Sequence, residues 1–241
     1  MSATFDAYYQ NPNYLAYKRL LFNYLLRKNI IDKQLGVASW PALDIGSGVA
    51  PMLSGPGVIL SDTSLAGMRV MRREGCVCSV LDIRRLGLKA NRVKTIICSE
   101  VLEHVPDDQL ALSELARVLA PGGRLIITAP LHRYYWSRDD DAVGHCRRYS
   151  PDEMRRKISR AGLRLRQVRK VGSIFERGLT IIAVFIFYLS EARGDTWAVG
   201  PGKLFTRANS AVAWLLERLA PVGPMATCSI GLFDCSKDPK A

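Results

Sequence analysis

Histidine is scarce in this chain, with three residues in 241 against 34 Lys and Arg and 22 Asp and Glu. Imidazole chemistry near neutral pH is therefore confined to wherever those three fall. Cysteine is also thin. Its six residues (Cys76, Cys78, Cys98, Cys146, Cys228 and Cys235) include no C-x-x-C pair, which supports neither a disulfide framework nor a zinc knuckle and leaves reduced core thiols as the expectation. Long apolar runs are missing too. The longest, Leu179 to Leu189 (LTIIAVFIFYL), has eleven residues, whereas a helix needs about 20 to cross a bilayer. The first thirty residues hold Asp6, several Tyr and Asn11-Pro12-Asn13 instead of a basic start, an apolar stretch and a cleavage site. No secretory signal is read there, and a cytoplasmic protein is expected. Acidic residues are outnumbered, which leaves a formal net charge of +12. A composition 48% hydrophobic and 23% charged excludes collagen, coiled coil and wholesale disorder, and the length suits one full domain plus an elaboration.

What is present is an alternation of periods. From Tyr14 to Leu35 apolar residues recur every three to four positions between Lys and Arg, which predicts an amphipathic helix started by Asn11-Pro12-Asn13. Short β-type runs follow at Ala42 to Ile45, Val58 to Ser61, Cys76 to Leu81, Thr95 to Ser99 and Arg124 to Ala129. Strands separated by crossovers imply a parallel sheet with helices on both faces. In the best crossover, Asp107 to Leu119, Leu110, Leu112, Leu115, Ala116 and Leu119 share one face, and Pro121-Gly122-Gly123 is expected to stop the helix. A helix from Pro151 after Ser150 to about Arg160, closed by Gly162, precedes a strand at Leu163 to Val171. Two apolar segments, Ile174 to Leu189 and Asn209 to Leu219, flank a Gly/Pro-bearing loop, and a last β-like run covers Ala226 to Cys235. The layout is thus a single domain: an N-terminal helical cap (1–40), a core (41–172), an apolar helical insertion (173–224), and the last strand with its tail (225–241).

The chemistry-bearing residues gather at strand ends. Leu43-Asp44-Ile45-Gly46-Ser47-Gly48 is a buried strand followed by two glycines one apart, where the backbone can turn sharply and approach a ligand. The next two strands lead to Asp62 and Asp82. Strand-end carboxylates can merely cap the following turn, or they can accept the hydroxyls of a ribose; three in register after a glycine turn favour a nucleoside pocket.

With these strand ends and the run Ile96-Ile97-Cys98-Ser99-Glu100-Val101-Leu102-Glu103-His104-Val105-Pro106-Asp107, through Glu114 to Gly123 and into Arg124 to Pro130, the chain resembles the class I S-adenosylmethionine-dependent methyltransferases, particularly their small-molecule branch. The resemblance covers about Leu43 to Val171. It implies an α/β fold, a doubly wound, mostly parallel seven-stranded Rossmann-like sheet with an N-terminal helix and a helical insertion before the last strand. It implies S-adenosyl-L-methionine as cofactor, S-adenosyl-L-homocysteine as product and no metal. Asp44, Gly46, Ser47 and Gly48 would hold the methionine end, Asp62 the ribose, Asp82 with the Ile83 backbone the adenine amino group, and Ser99 and Glu100 would line the pocket beneath the sulfonium. One departure is visible: Pro51 to Gly57 alone separate the glycine turn from the second strand, so the first crossover helix is cut to about one turn, and Ala50 stands where the fuller motif has its third glycine.

In-line methyl transfer requires an acceptor aligned about 3–3.5 Å from the methyl carbon and, for an oxygen or nitrogen acceptor, removal of a proton. All three histidines lie where such a group belongs, His104 after the fourth strand and His132 and His145 after the fifth. His145 is the first candidate base, with the acidic run Asp139-Asp140-Asp141 placed to fix its tautomer; His104, His132 and Tyr134 follow. Arg147, Arg148 and Tyr149 are the candidate acceptor-binding residues, set against the alternative that they anchor the loop to the sheet. From Arg147 to Lys170 there are ten Lys and Arg (147, 148, 155, 156, 157, 160, 164, 166, 169, 170) against Asp152 and Glu153, a surface suited to phosphates. The first reading is methyl transfer to a small, apolar or lipid-linked acceptor, a saccharide or isoprenoid-type molecule among them, at or near an anionic membrane surface. An RNA methyltransferase and an inactive cofactor-binding protein are the alternatives.

Overall fold

The structure, a computed structural model, describes residue 6, residues 9–10, residue 15, and residues 17–182, 203–220 and 224–239. Its strands are β1 (Ala42–Ile45), β2 (Val58–Asp62), β3 (Cys78–Val80), β4 (Val93–Ser99), β5 (Leu119–Pro130), β6 (Leu163–Lys170) and β7 (Ile230–Lys237). They form one sheet in the order β3-β2-β1-β4-β5-β7-β6. The pairs from β3 to β5 are parallel, whereas β7 runs antiparallel to both β5 and β6. The chain winds outward from β1 through β2 to β3 and returns to β4 on the other side of β1. In open α/β sheets ligands bind outside the carboxyl ends of the strands at such a reversal.

Alternation along the strands feeds two cores, because successive side chains point to opposite faces. Leu43, Ile45, Ile96, Cys98, Leu125 and Ile127 join the face covered by helices α3 (Asp108–Val118) and α5 (Pro151–Arg160). Ala42, Ile97, Ile126 and Leu232 join the face covered by α1 (Phe22–Leu35), α2 (Leu65–Arg73) and α7 (Lys203–Leu219). Two further helices, α4 (Arg138–Val143) and α6 (residues 174–182), lie in the connections after β5 and β6.

Helix α3 starts where the sequence predicts, its N-cap Asp107 accepting from the Leu110 amide at 3.0 Å. Leu110, however, is exposed, and Ala111, Leu112, Leu115, Ala116 and Val118 form the buried stripe. The helix ends at Val118, and Pro121-Gly122-Gly123 lies inside β5, where the β4–β5 register shifts between Val93 and Thr95. Those residues form a strand irregularity instead of a helix stop. Helix α5 matches its prediction, with Ser150 accepting from the Glu153 amide at 3.1 Å.

The long N-terminal helix is interrupted. Residues 17–18 are helical, 19–20 form a turn, and α1 begins at Phe22. At the interruption Arg19 turns inward and donates to the Val49 carbonyl at 2.6 Å while pairing with Glu74 at 2.8 Å. That long-range pairing outweighs local helix periodicity. Tyr14 and Asn11-Pro12-Asn13 lie outside the described residues, as do 183–189 of the apolar run and most of the Gly/Pro loop. Among the described residues no helix is long and apolar enough to cross a membrane.

Candidate active site at the carboxyl ends of β1, β2, β4 and β5

The turn after β1 needs its glycines. Gly46 and Gly48 have φ of +68° and +50°, left-handed values that cost an L-residue about 1–2 kcal/mol. A Cβ on Gly46 would overlap Val101 Cγ2, and one on Gly48 would overlap the Tyr9 hydroxyl. The Ser47 amide donates to Ser61 O at 3.0 Å and ties the turn to β2. No helix separates β1 from β2; instead Asp44 organises the connection, one carboxylate oxygen accepting from the Met52 and Leu53 amides at 2.6 and 2.8 Å. Its side chain points into the protein to hold the loop, where the resemblance places it against the methionine end of the cofactor. Burial pushes its carboxyl up to about 7, against the lowering effect of those two amides.

Asp62 stands beside this turn. It accepts from Gly48 N at 3.0 Å with one oxygen and from Ser64 N at 2.8 Å with the other, and burial raises its pKa. A carboxylate against the second glycine's amide, at the parallel-sheet reversal, is placed to accept ribose hydroxyls. Asp82 lies two residues beyond β3 and is gripped by Arg84, whose Nη2 stands 2.6 Å and Nε 3.0 Å from its two oxygens; this hydrogen bonding holds its pKa below the usual range. The neighbouring Ile83 side chain is buried. Across the crevice Ser99 and Thr128 hydroxyls are 2.8 Å apart, and Thr128 donates to Glu100 at 3.0 Å. Glu100 itself has φ +55°, a strained conformation for a non-glycine residue that concentrates at functional sites.

The fourth strand leads into a 3₁₀ turn, Leu102–His104. The rings of His104 and His145 meet edge to face, 4.6 Å between centroids. His145 Nδ1 lies 2.6 Å from Asp140 Oδ1, and Nε2 lies 3.8 Å from Glu103 Oε1. Asp140, fully buried, also accepts from Arg148 Nε at 2.8 Å and from the Ser137 amide at 2.9 Å. Its hydrogen bonds to His145 and Arg148 overcome burial and keep it ionised far below the ordinary carboxylate range. An ionised acid only accepts, so His145 donates to it through Nδ1, and in the neutral ring Nε2 is the nitrogen that presents a lone pair. Burial, with a smaller effect from His145, lowers His104 to about 4. Beneath both imidazoles lies Glu103, fully buried, its two oxygens without a hydrogen-bond partner in any other described residue. Burial, and after it the charge of Glu100, push its pKa well up.

Other candidates are taken up by the fold. His132 Nε2 donates to the Met225 carbonyl at 3.1 Å, and the Tyr134 hydroxyl donates to Ala226 O, so both fasten the post-β5 loop to the turn before β7. Of the proposed acceptor-binding residues, Arg148 is buried on Asp140. Tyr149 is buried and donates to Asp108 at 2.9 Å, its pKa raised by burial. Arg147 pairs with Asp108 at 2.9 Å and bonds Pro106 O at 2.7 Å. These three anchor the loop on the buried acids Asp108, which is 41 residues before Tyr149, and Asp140, which is 8 before Arg148, pairings that local spacing does not reveal. Lys157 also binds Asp108 at 2.8 Å, so the basic run is partly internal.

Two contributors escaped the sequence reading. Tyr9 packs over Gly48 and Gly67, and the Ser64 hydroxyl donates to Asp6, which brings the N-terminal segment to the glycine turn; nothing local in its polar, Tyr-rich sequence signals this. Glu103 lay within the same run, and a Glu-His pair set between apolar Leu102 and Val105 was the available clue.

The model of a family described as a methyltransferase domain matches residues 18–168. A ubiquinone biosynthesis O-methyltransferase of Marinobacter nauticus is 30% identical over 43% of this chain and 49% of its own length. The chain thus spans about half the length of the curated relatives it matches. Among solved structures, a methyltransferase of Thermotoga maritima described as a possible histamine N-methyltransferase aligns with TM-score 0.60 at 16% identity over 92% of both chains. Phosphoethanolamine N-methyltransferase 2 of Haemonchus contortus, in complex with phosphomonomethylethanolamine and S-adenosylhomocysteine, aligns with TM-score 0.58 at 17% identity over 88% of this chain and 53% of that one. With more than half of its length matched by the family model and its sheet in the corresponding fold, the chain belongs to the class I S-adenosylmethionine-dependent methyltransferases.

Proposed function

We propose that the protein transfers the methyl group of S-adenosylmethionine to an oxygen of a small, hydroxylated acceptor that is apolar or carries a lipid chain. The cofactor supplies an activated methyl group on a positively charged sulfur, a donor that needs no metal. The chain's residues fit it: the glycine turn is a cradle that a Cβ would fill, and the Asp62 carboxylate stands against it. Gly46 to Gly48 would cover the methionine end, Asp62 the ribose, Asp82 and the Ile83 backbone the adenine, and Ser99 and Glu100 the floor beneath the sulfur.

The observation that carries the acceptor class is helix α6. It is fastened by buried Arg177, which donates to Asp139 at 2.6 Å and to Asp140 at 3.1 Å, the carboxylate that also holds His145. This helix bears exposed Ile174, Phe175, Leu179, Ile181 and Ile182. An apolar surface anchored to the histidine loop suits an acceptor with a hydrocarbon portion. The names of the O-methyltransferase relatives support oxygen as the acceptor atom. Asp140 ties His145 to the foot of α6, on the acceptor side.

Calorimetric titration of S-adenosylmethionine and S-adenosylhomocysteine into wild type and Asp62→Ala tests the cofactor site. Loss of hydrogen bonds to a carboxylate predicts roughly 10–100-fold weaker binding in the variant; unchanged affinity refutes the role of Asp62. Transfer of labelled methyl to detergent-dispersed isoprenoid phenols, against an RNA mixture and water-soluble phenols, tests the acceptor. Label appearing in RNA alone overturns the proposal.

A further inference from the structure

We propose that Glu103, His104 and His145 bind a divalent first-row transition-metal cation. One donor atom from each lies within 4.8 Å of the others, in the single such group among the described residues. In a tetrahedral site with each ligand atom about 2.0–2.2 Å from the ion, neighbouring ligand atoms stand about 3.4 Å apart, so closure needs movements on the order of 1 Å. The 3.8 Å between His145 Nε2 and Glu103 Oε1 is too long for a hydrogen bond and suits two ligands flanking an ion.

Two independent features point the same way. Glu103 is fully buried, and its oxygens meet no hydrogen-bond partner in another described residue. A carboxylic acid left so is costly unless it is paired or coordinates a metal. His145 gives its other nitrogen to Asp140 at 2.6 Å, and Asp140 is itself fixed by Arg148 and Ser137. A carboxylate that orients a histidine so that its free nitrogen faces the metal is the common outer-shell arrangement of protein metal sites. One carboxylate and two imidazoles suit zinc, cobalt, iron or manganese better than calcium. The ion would clamp the turn after β4 to the loop before α5. Since the methyl donor needs no metal, its place is in the architecture of the acceptor side, and its binding is independent of which acceptor is used.

The test uses purified full-length chain stripped with a chelator, then titrated with Co²⁺ and Zn²⁺ by calorimetry and followed by the visible absorption of Co²⁺. We expect one equivalent to bind, with d–d bands, and a melting temperature about 5–10 °C higher at 100-fold excess over Kd. Glu103→Gln and Glu103→Leu should each abolish the bands and the thermal shift, and stripped Glu103→Leu should melt no lower than stripped wild type, because the bare acid is gone. Binding to wild type that persists unchanged in both variants, or the absence of bands and thermal shift in wild type, overturns the proposal. Cofactor titration of the same stripped protein reports the nucleoside site separately.

Discussion

Replacing Asp140 with Ala should be among the most damaging single changes outside the core. The residue is fully buried and accepts from His145, Arg148, Arg177 and the Ser137 amide. Arg177 keeps Asp139 as a partner. Arg148, with a side chain only 4% exposed, would keep a single bond of 3.4 Å to the Leu131 carbonyl. Breaking a buried pair by removing one partner costs about 3–5 kcal/mol, chiefly because the other charge is stranded. For a chain of this size that is roughly 6–20 °C in melting temperature. Urea unfolding should show the midpoint falling with an unchanged slope, the signature of lost stability at constant exposed surface. The decisive companion is Asp140→Leu combined with Arg148→Met, which removes both charges and fills the space; it should regain most of the loss. If Asp140→Ala loses less than about 1 kcal/mol, or the double variant is no better than the single, the stranded-charge reasoning is wrong.

Two smaller predictions concern the glycine turn and its support. Gly46→Ala should lose about 1–2 kcal/mol of stability from the left-handed backbone alone and weaken S-adenosylhomocysteine binding, measured by calorimetry; adding Val101→Ala should relieve the overlap with Val101 but leave the backbone cost, and full recovery would refute the conformational argument. Asp44, held up at about 7 by burial, lies above its unfolded value of about 3.9, so folding favours the protonated acid and its contribution is lost as pH rises through 7. Relative to Asp44→Asn, cofactor-free wild type should therefore lose about 3 kcal/mol between pH 5 and pH 8.5 in urea titrations. A constant difference across that range contradicts a buried protonated acid.

Much of the sheet was readable because its signals are local. Apolar runs bounded by turn residues located all seven strands, and capping chemistry at Asp107 and Ser150 located the starts of two helices. What escaped was decided across the chain. Arg19 leaves the helix for the Val49 carbonyl, Arg148 and Tyr149 disappear onto Asp140 and Asp108, and Pro121-Gly122-Gly123, a stop signal by residue type, is absorbed as an irregularity of β5. The strand-end Asp residues were visible, but not the direction of their side chains: Asp44 braces the loop and Asp82 holds Arg84. Spacing along a strand says which residues reach the crevice edge; partners contributed by distant loops decide which of them remain available there.

The antiparallel β7 has a consequence for how the molecule is made. Because, among the described residues, β6 joins the sheet through β7 alone, and β7 also completes the edge of β5, residues 163–170 gain this pairing once residues 230–237 have left the ribosome. Throughout synthesis of the segment between them, the edges of β5 and β6 that β7 will cover present unpaired amides and carbonyls, the kind of surface that recruits other strands. Strand β7 acts as the closing staple of the sheet, joining β5 to β6.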